Sequence, residues 1–349
     1  MKNTPVVLSV VVISHNQKDV LKRCLDSILA QRTTFPVEII VSDDRSTDGT
    51  REMLLDDYKE TVKSTFFNSD KFEITYTLER AALNRINGLK YVTGKYLIHT
   101  DGDDFFTSTD LFQAMVDKLE SHLECNLCCQ NYCIVDENNI NAPHIPINKS
   151  YHFQKESILT AAEFVKEIGT VVNACVCARI SDHFDYSNLN GSTYDDNDIT
   201  FRYLGNSKVA LINRCDFVYV NYHKSSCSSL TEREKLYLFQ GLSLIQLNPY
   251  LSGVLINKYL TSIYKISKSV VMRYEIPENI IKYFHFSELY LFRALSNNPP
   301  IKDWLRYLRI FILSIILKIL AHTSINHKIL YKRMYKLAVN MEIANNVII

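Results

Sequence analysis

The chain has 349 residues, 47% of them hydrophobic and 22% charged, with 39 basic side chains against 38 acidic ones. That balance gives no reason to expect a nucleic-acid partner, and 17 Phe with 21 Tyr argue against disorder. The length suits one large domain or two smaller ones.

The N-terminal "MKNTPVVLSVVVISHNQ" is apolar and β-branched and lacks a small-residue cleavage site, so it reads as a buried first strand, Val6 to Ser14, rather than an export signal. Val20, Leu21, Cys24, Leu25, Ile28 and Leu29 recur at helical spacing, which predicts a helix from Lys18 to Gln31. "VEIIVSDD" (Val37 to Asp44) is a second strand, and "STDGT" supplies the turn and cap of a second helix. "FEITYT" is expected as a third strand, Ala81 to Tyr91 as a third helix and "KYLIHT" as a fourth strand. Alternating strands and helices imply a parallel sheet covered by helices.

Beyond Asp110 the order is mixed. A helix is expected to about Glu120, a strand near Leu127 to Val135, and a loop over Asn138 to Lys149. A helix around Ala161 to Ile168, a strand over Val171 to Arg179 and short strands near Val209 and Val218 follow. From about Thr231 the pattern is helical, broken at Pro249, Pro277 and Pro299-Pro300. The expected division is therefore residues 1–230 and a helical region over 231–349. Nine cysteines, four of them in "CNLCCQNYC", lack the paired spacing of a zinc site and read as small buried strand residues.

Three polar clusters fall at expected strand ends: Ser14-His15-Asn16, Asp43-Asp44 and Asp101-Gly102-Asp103-Asp104. Ligands of parallel α/β sheets bind beyond the carboxyl ends of the strands. Carboxylates packed together repel, and a divalent cation between them offsets that cost. A strand-end Asp-x-Asp suits a hard cation that also holds a diphosphate. Asp104 and Asp110 can equally be turn or cap residues.

"VVISHNQKDVLKRCLDSILAQ", "VEIIVSDDRSTDGT" and "NRINGLKYVTGKYLIHTDGDDFF", in that order, resemble the N-terminal blocks of the family 2 glycosyltransferases. The resemblance spans roughly residues 6–225. It implies the GT-A fold, an α/β Rossmann-like mixed sheet, here with a C-terminal helical extension. It also implies transfer of a sugar from a nucleotide-diphospho-sugar, a UDP-sugar foremost, with Mg²⁺ or Mn²⁺ as cofactor. By the resemblance Ser14 and Asn16 line the nucleotide pocket, Asp43 meets the base, Arg85 stands for the family's "ARN" arginine and Asp101 touches the ribose. Ile86 replaces the Asn expected after that arginine. Asp103 is the metal ligand, and His223 completes the metal shell or contacts the diphosphate.

A second acidic segment, "YDDNDITFRYLG", resembles the family's acceptor-side block, with Asp196 as the base that deprotonates the acceptor hydroxyl and so inverts the anomeric carbon. Asp195 suits a helix cap, and Asp198 with Arg202 a structural ion pair.

The tail holds "WLRYLRIFILSIILKILAH", and from Ile301 onward eight basic residues face only two acids. An apolar, basic helix suits peripheral contact with an anionic lipid surface. No apolar run reaches the roughly 20 residues of a spanning helix. The expectation is a cytoplasmic protein at the inner face of the membrane, with a glycan or polyprenyl-linked acceptor in O-antigen or capsule assembly. The alternatives are a nucleotidyltransferase, for which "SHNQKDV" lacks a glycine-rich phosphate loop, and a catalytically inactive membrane-associated binding protein.

Overall fold

A computed structural model describes residues 5–72, 77–147, 151–168, 172–180, 200, 203–205 and 207–222. The helical region expected over 231–349 lies outside them, as do Asp195, Asp196, Asp198, Arg202 and His223.

The first strand, β1 (Leu8–Ser14), is buried along its whole length. Its run of Val and Ile has no polar face, which is what a central strand covered on both sides requires. Helix α1 (Lys18–Leu29) buries Leu21, Cys24, Leu25 and Ile28, one stripe at helical spacing. Strand β2 (Val37–Asp44) pairs in parallel with β1, and helix α2 (Thr50–Asp56) follows. Asp48 serves both helices: Lys18 N of α1 donates to its Oδ2 at 2.9 Å, and Thr50 N of α2 to its Oδ1 at 3.1 Å.

The third strand of the described residues comes before "FEITYT". Strand β3 is Lys63–Phe67, which pairs in parallel with β2. Its β-branched and aromatic residues, Thr65, Phe66 and Phe67, fit a half-buried edge. Phe72 is exposed in a bend and Thr77 already begins helix α3 (Thr77–Leu89); residues 73–76 lie outside the described set. Helix α3 crosses β1 and β2 closely, so that a Cβ on Gly88 would sit 2.8 Å from Val11 Cγ1. Strand β4 (Tyr96–Asp101) then pairs in parallel with the free side of β1.

Strand β5 (Phe105–Phe106) leads into helix α4 (Leu111–Ser121). Asp110 stands at the N-cap of α4 without a side-chain cap bond; its carboxylate accepts from Arg214 instead. The single strand expected over 127–135 is two strands in two sheets, β6 (Cys125–Cys129) and β7 (Cys133–Asp136). Gln130 and Asn131 are buried between them. Their backbone N–H groups leave the β6 ladder to bond Cys175 and Arg214, which ends one strand and redirects the chain to the next. The segment after β7 runs to Ile147 without regular structure, as expected of it.

Helix α5 (Tyr151–Gln154), strand β8 (Ile158–Thr160) and helix α6 (Ala161–Glu163), which widens into a π-turn over Phe164–Ile168, come next. Strand β9 (Val176–Arg179) is shorter than predicted because a 3₁₀ turn occupies Asn173–Cys175. Strands β10 (Lys208–Leu211) and β11 (Phe217–Asn221) close the described set.

The large sheet has the order β3-β2-β1-β4-β9-β6-β10-β8. Its first four strands are parallel, and β9 is antiparallel to both its neighbours, β4 and β6. A small sheet, β5-β11-β7, stands apart from it. Phe106 of β5 is buried with Phe112 of α4 and Phe217 of β11, at ring-centroid distances of 5.1 and 5.2 Å. Such aromatic pairs contribute about 1 kcal/mol each beyond the area they bury.

Seven cysteines are buried free thiols: Cys125, Cys128, Cys129, Cys133 and Cys177 fill strands as expected, while Cys24 lies in α1 and Cys175 in the 3₁₀ turn before β9. Burial raises the Cys128 thiol well above the ordinary range, so it is held neutral.

Candidate active site

The strand order reverses between β1 and β4, since β2 and β3 lie to one side of β1 and β4 to the other. That switch opens a crevice at the carboxyl ends of the strands. Register brings the three polar clusters to it: Ser14 pairs with Asp43, and Ile13, one residue earlier, pairs with Asp101.

On the β1–β2 side the backbone is held by short polar side chains. Asn16 adopts a left-handed φ of 51°, and its Oδ1 accepts from Thr47 N at 2.8 Å. An Asn tolerates that backbone better than most residues. Asp43 is 1% exposed and accepts from Ser46 N at 3.1 Å and from the Ser46 hydroxyl. Burial raises its carboxyl above the usual value, against the pull of those hydrogen bonds. Asp44 is structural: its Oδ1 accepts from Ser69 N at 3.0 Å and Arg45 Nε at 3.1 Å. Ser14 is 2% exposed, and its Oγ is without a hydrogen-bond partner among the described residues.

Helix α3 supplies a residue that the sequence pattern did not single out. Buried Asn84 donates Nδ2 to Ser14 O at 3.1 Å and to Ser42 O at 2.9 Å, while Ser42 Oγ donates to its Oδ1 at 2.7 Å. Its amide knits the ends of β1 and β2 together. Ile86, where the resemblance expects Asn, is buried and apolar, so the amide stands two residues earlier.

The β4 side carries the acids. Asp101 accepts from the buried Arg85, Nη2 to Oδ1 at 2.7 Å. Gly102 has no room for a side chain: a Cβ would lie 2.9 Å from Ile13 O and from Leu21 Cδ1. Asp103 lines a cleft of about 500 Å³ together with Asn16, Lys18, Asp48, Glu137 and Tyr222. Burial and then the charge of Asp101 push its carboxyl up to about 7. Asp104 is buried and accepts from Val220 N at 2.9 Å, which ties the turn to β11. Burial, with Asp103 next, raises its carboxyl well above the usual range.

Oxygens of Asp101, Asp103 and Asp104 lie within 4.8 Å of one another, the one such group of potential metal ligands among the described residues. Three hard oxygen donors that close suit Mg²⁺ or Mn²⁺. Arg85 uses an oxygen of Asp101 and Val220 N one of Asp104, which leaves Asp103, facing the cleft, the most available ligand.

A profile of the family described as "Glycosyl transferase family 2" matches residues 9–183. The chain belongs to that family. The match covers β1 through β9, the strands that build the crevice. An uncharacterised Mycobacterium tuberculosis protein is 30% identical over 139 residues, 40% of this chain and 39% of its own length. The poly(ribitol-phosphate) beta-glucosyltransferase of Bacillus spizizenii is 30% identical over 115 residues, 30% of this chain and 16% of that enzyme. The family-2 chain thus spans about two fifths of the first relative and less of the second. Residues 1–349 of Staphylococcus aureus TarS, solved with UDP-GlcNAc, superpose with a TM-score of 0.55 at 15% identity, over 83% of this chain and 81% of that one. That likeness fixes the fold of this family-2 protein as GT-A, a mixed α/β sheet.

Of the six residues expected around the donor and metal that are described, all come to one end of the sheet. Asn16, Asp101 and Asp103 offer surface there; Ser14, Asp43 and Arg85 shape it from behind. Asp196 and His223 lie outside the described residues.

Proposed function

We propose that this family-2 chain is a metal-dependent, inverting glycosyltransferase that moves a sugar from a UDP-sugar to a glycan or lipid-linked glycan acceptor. The observation that carries the reading is the cluster Asp101, Asp103 and Asp104 at the switch point of the sheet, opening on a cleft beside the end of β1. TarS, of the same fold, was solved with UDP-GlcNAc, and a relative is a poly(ribitol-phosphate) beta-glucosyltransferase. A surface glycopolymer is the acceptor class that those names suggest.

In this reading Asn16 and Asp101 orient the nucleoside, and Asp43 supports the base once the Ser46 hydroxyl yields its place. Asp103 and Asp101 would hold a divalent cation, with His223 as a further ligand. When bound, the cation neutralises charge that grows on the departing diphosphate. Arg85 holds the Asp101 carboxylate in place, and Asp104 anchors the turn through Val220. Asp196 removes the acceptor proton as the new glycosidic bond forms on the face opposite the diphosphate.

Among the described residues no helix is long and apolar enough to cross a membrane. Peripheral contact through the basic, apolar stretch from Trp304 to His322, at the cytoplasmic face, belongs to the same proposal.

Donor binding and turnover in Asp103→Ala and Asp196→Ala test it. Asp103→Ala is expected to lose metal-dependent UDP binding, and Asp196→Ala to keep binding but lose transfer by about 10²-fold or more. Normal turnover in both variants would overturn the assignments.

A further inference from the structure

The acidic cluster has a cation of its own side that bonds none of its carboxylates. Arg23 rises from the first turns of α1, and its Nη2 donates to the backbone oxygen of Asp103 at 2.9 Å and to the hydroxyl of Tyr222 at 3.2 Å. Its guanidinium lies 4.7 Å from the ring centroid of Phe105. Its Nε is buried without a hydrogen-bond partner, and it forms no ion pair among the described residues.

That choice of partner is informative. An arginine beside three carboxylates gains most by a charge-assisted bond to one of them, as Arg85 makes from Nη2 to Asp101 Oδ1. Arg23 instead takes a carbonyl and a phenol. It places positive charge near acids that repel one another, yet consumes none of the oxygens a cation would use. Its three contacts come from three places in the chain: Asp103 in the turn after β4, Phe105 at the start of β5, and Tyr222 just beyond β11. Asp103 and Tyr222 both line the cleft, so one guanidinium sets their separation.

We propose that Arg23 is a positioning residue for the metal-binding turn: it fixes Asp103 against Tyr222 in the geometry that takes up a divalent cation. The inference rests on the metal-dependent reading of the site. Loss of a side chain that orients a ligand from behind typically lowers metal affinity 10–100-fold.

The test measures binding of Mn²⁺ alone, by paramagnetic resonance of the free ion, with melting temperatures recorded in parallel. Arg23→Met keeps an apolar stem over Phe105 and is expected to weaken Mn²⁺ binding about tenfold. Arg23→Lys keeps the charge without the planar fork and is expected to fall with it. Tyr222→Phe removes one arm and is expected to lose a few-fold. These last two carry the test if Arg23→Met does not fold.

Removing a positive charge would by itself strengthen cation binding, so tighter or unchanged binding in Arg23→Met overturns the proposal. Wild-type affinity in Arg23→Lys does the same, because charge alone would then suffice. If wild type binds no Mn²⁺, or Asp103→Ala binds it unchanged, the metal reading fails and takes this inference with it. Intact binding in wild type, lost in Asp103→Ala but unaltered in the Arg23 variants, removes the role of Arg23 alone.

Discussion

Arg85 and Asp101 form a pair of opposite surroundings: the arginine side chain is 2% exposed, the carboxylate it grips at 2.7 Å is 42% exposed. The buried partner therefore aims an acid at the crevice from behind the strand end. Arg85→Met is expected to leave Asp101 free to rotate and to weaken UDP binding about tenfold, as loss of an orienting partner does elsewhere. Calorimetric titration with UDP checks this. Unchanged affinity would mean that Asp101 needs no anchor.

Gly102 is a matter of space. Its N–H donates to Ile13 O at 2.9 Å, and an added Cβ would meet that same oxygen and a methyl of Leu21. Gly102→Ala must push the turn off β1, at a cost of about 2 kcal/mol. Thermal unfolding should register a drop of several degrees, and Mn²⁺ binding should weaken with it. A variant as stable as wild type would show that the turn is looser than the contacts imply.

Asp43 gives a pH dependence. Its folded carboxyl is raised above 3.8, chiefly by burial, so the folded chain holds the proton more tightly than the unfolded one. Its contribution to stability is fully present below that ordinary value and is lost as pH rises through the raised one. Asp43→Asn removes the titration. Relative to wild type, the variant should gain stability as pH climbs from about 3.8 toward neutrality, while its affinity for uridine nucleotides drops at neutral pH. Melting curves across that range, parallel for the two proteins, would contradict this.

Asn84 holds two backbone carbonyls, those of Ser14 and Ser42, inside the protein. Asn84→Leu leaves both without that donor, an expected loss of about 1–3 kcal/mol. Asn84→Asp restores only the bond from Ser42 Oγ and should remain unstable. Denaturant unfolding distinguishes these outcomes from a site that tolerates the change.

Most of the crevice could be read from the residues, because strand ends announce themselves. An apolar, β-branched run that stops at Ser14, Asp44 or Asp101 places its terminal polar residues without reference to the rest of the fold. What escaped depended on contacts far along the chain. Arg23 meets Tyr222 across 199 residues and looks, in sequence, like an ordinary surface base on an amphipathic helix. Asn84 sits in a helix whose amide the family resemblance places at position 86. "FEITYT" has good strand composition, but among the described residues it is "KSTFF" that pairs with β2, and propensity alone does not pick out that segment. The split of 127–135 into two strands turned on Gln130 and Asn131, whose partners at Cys175 and Arg214 no local window contains.

Strand β9 has a temporal consequence. It is the neighbour that covers β4 on the side away from β1, and it comes 75 residues later, from Val176 against Asp101 at the end of β4. During synthesis the strand that ends in the acidic turn therefore waits with one row of backbone groups unpaired until residue 179 has emerged from the ribosome. A nascent chain arrested before that point should engage chaperones, and one arrested with 176–179 exposed should resist proteolysis at β4.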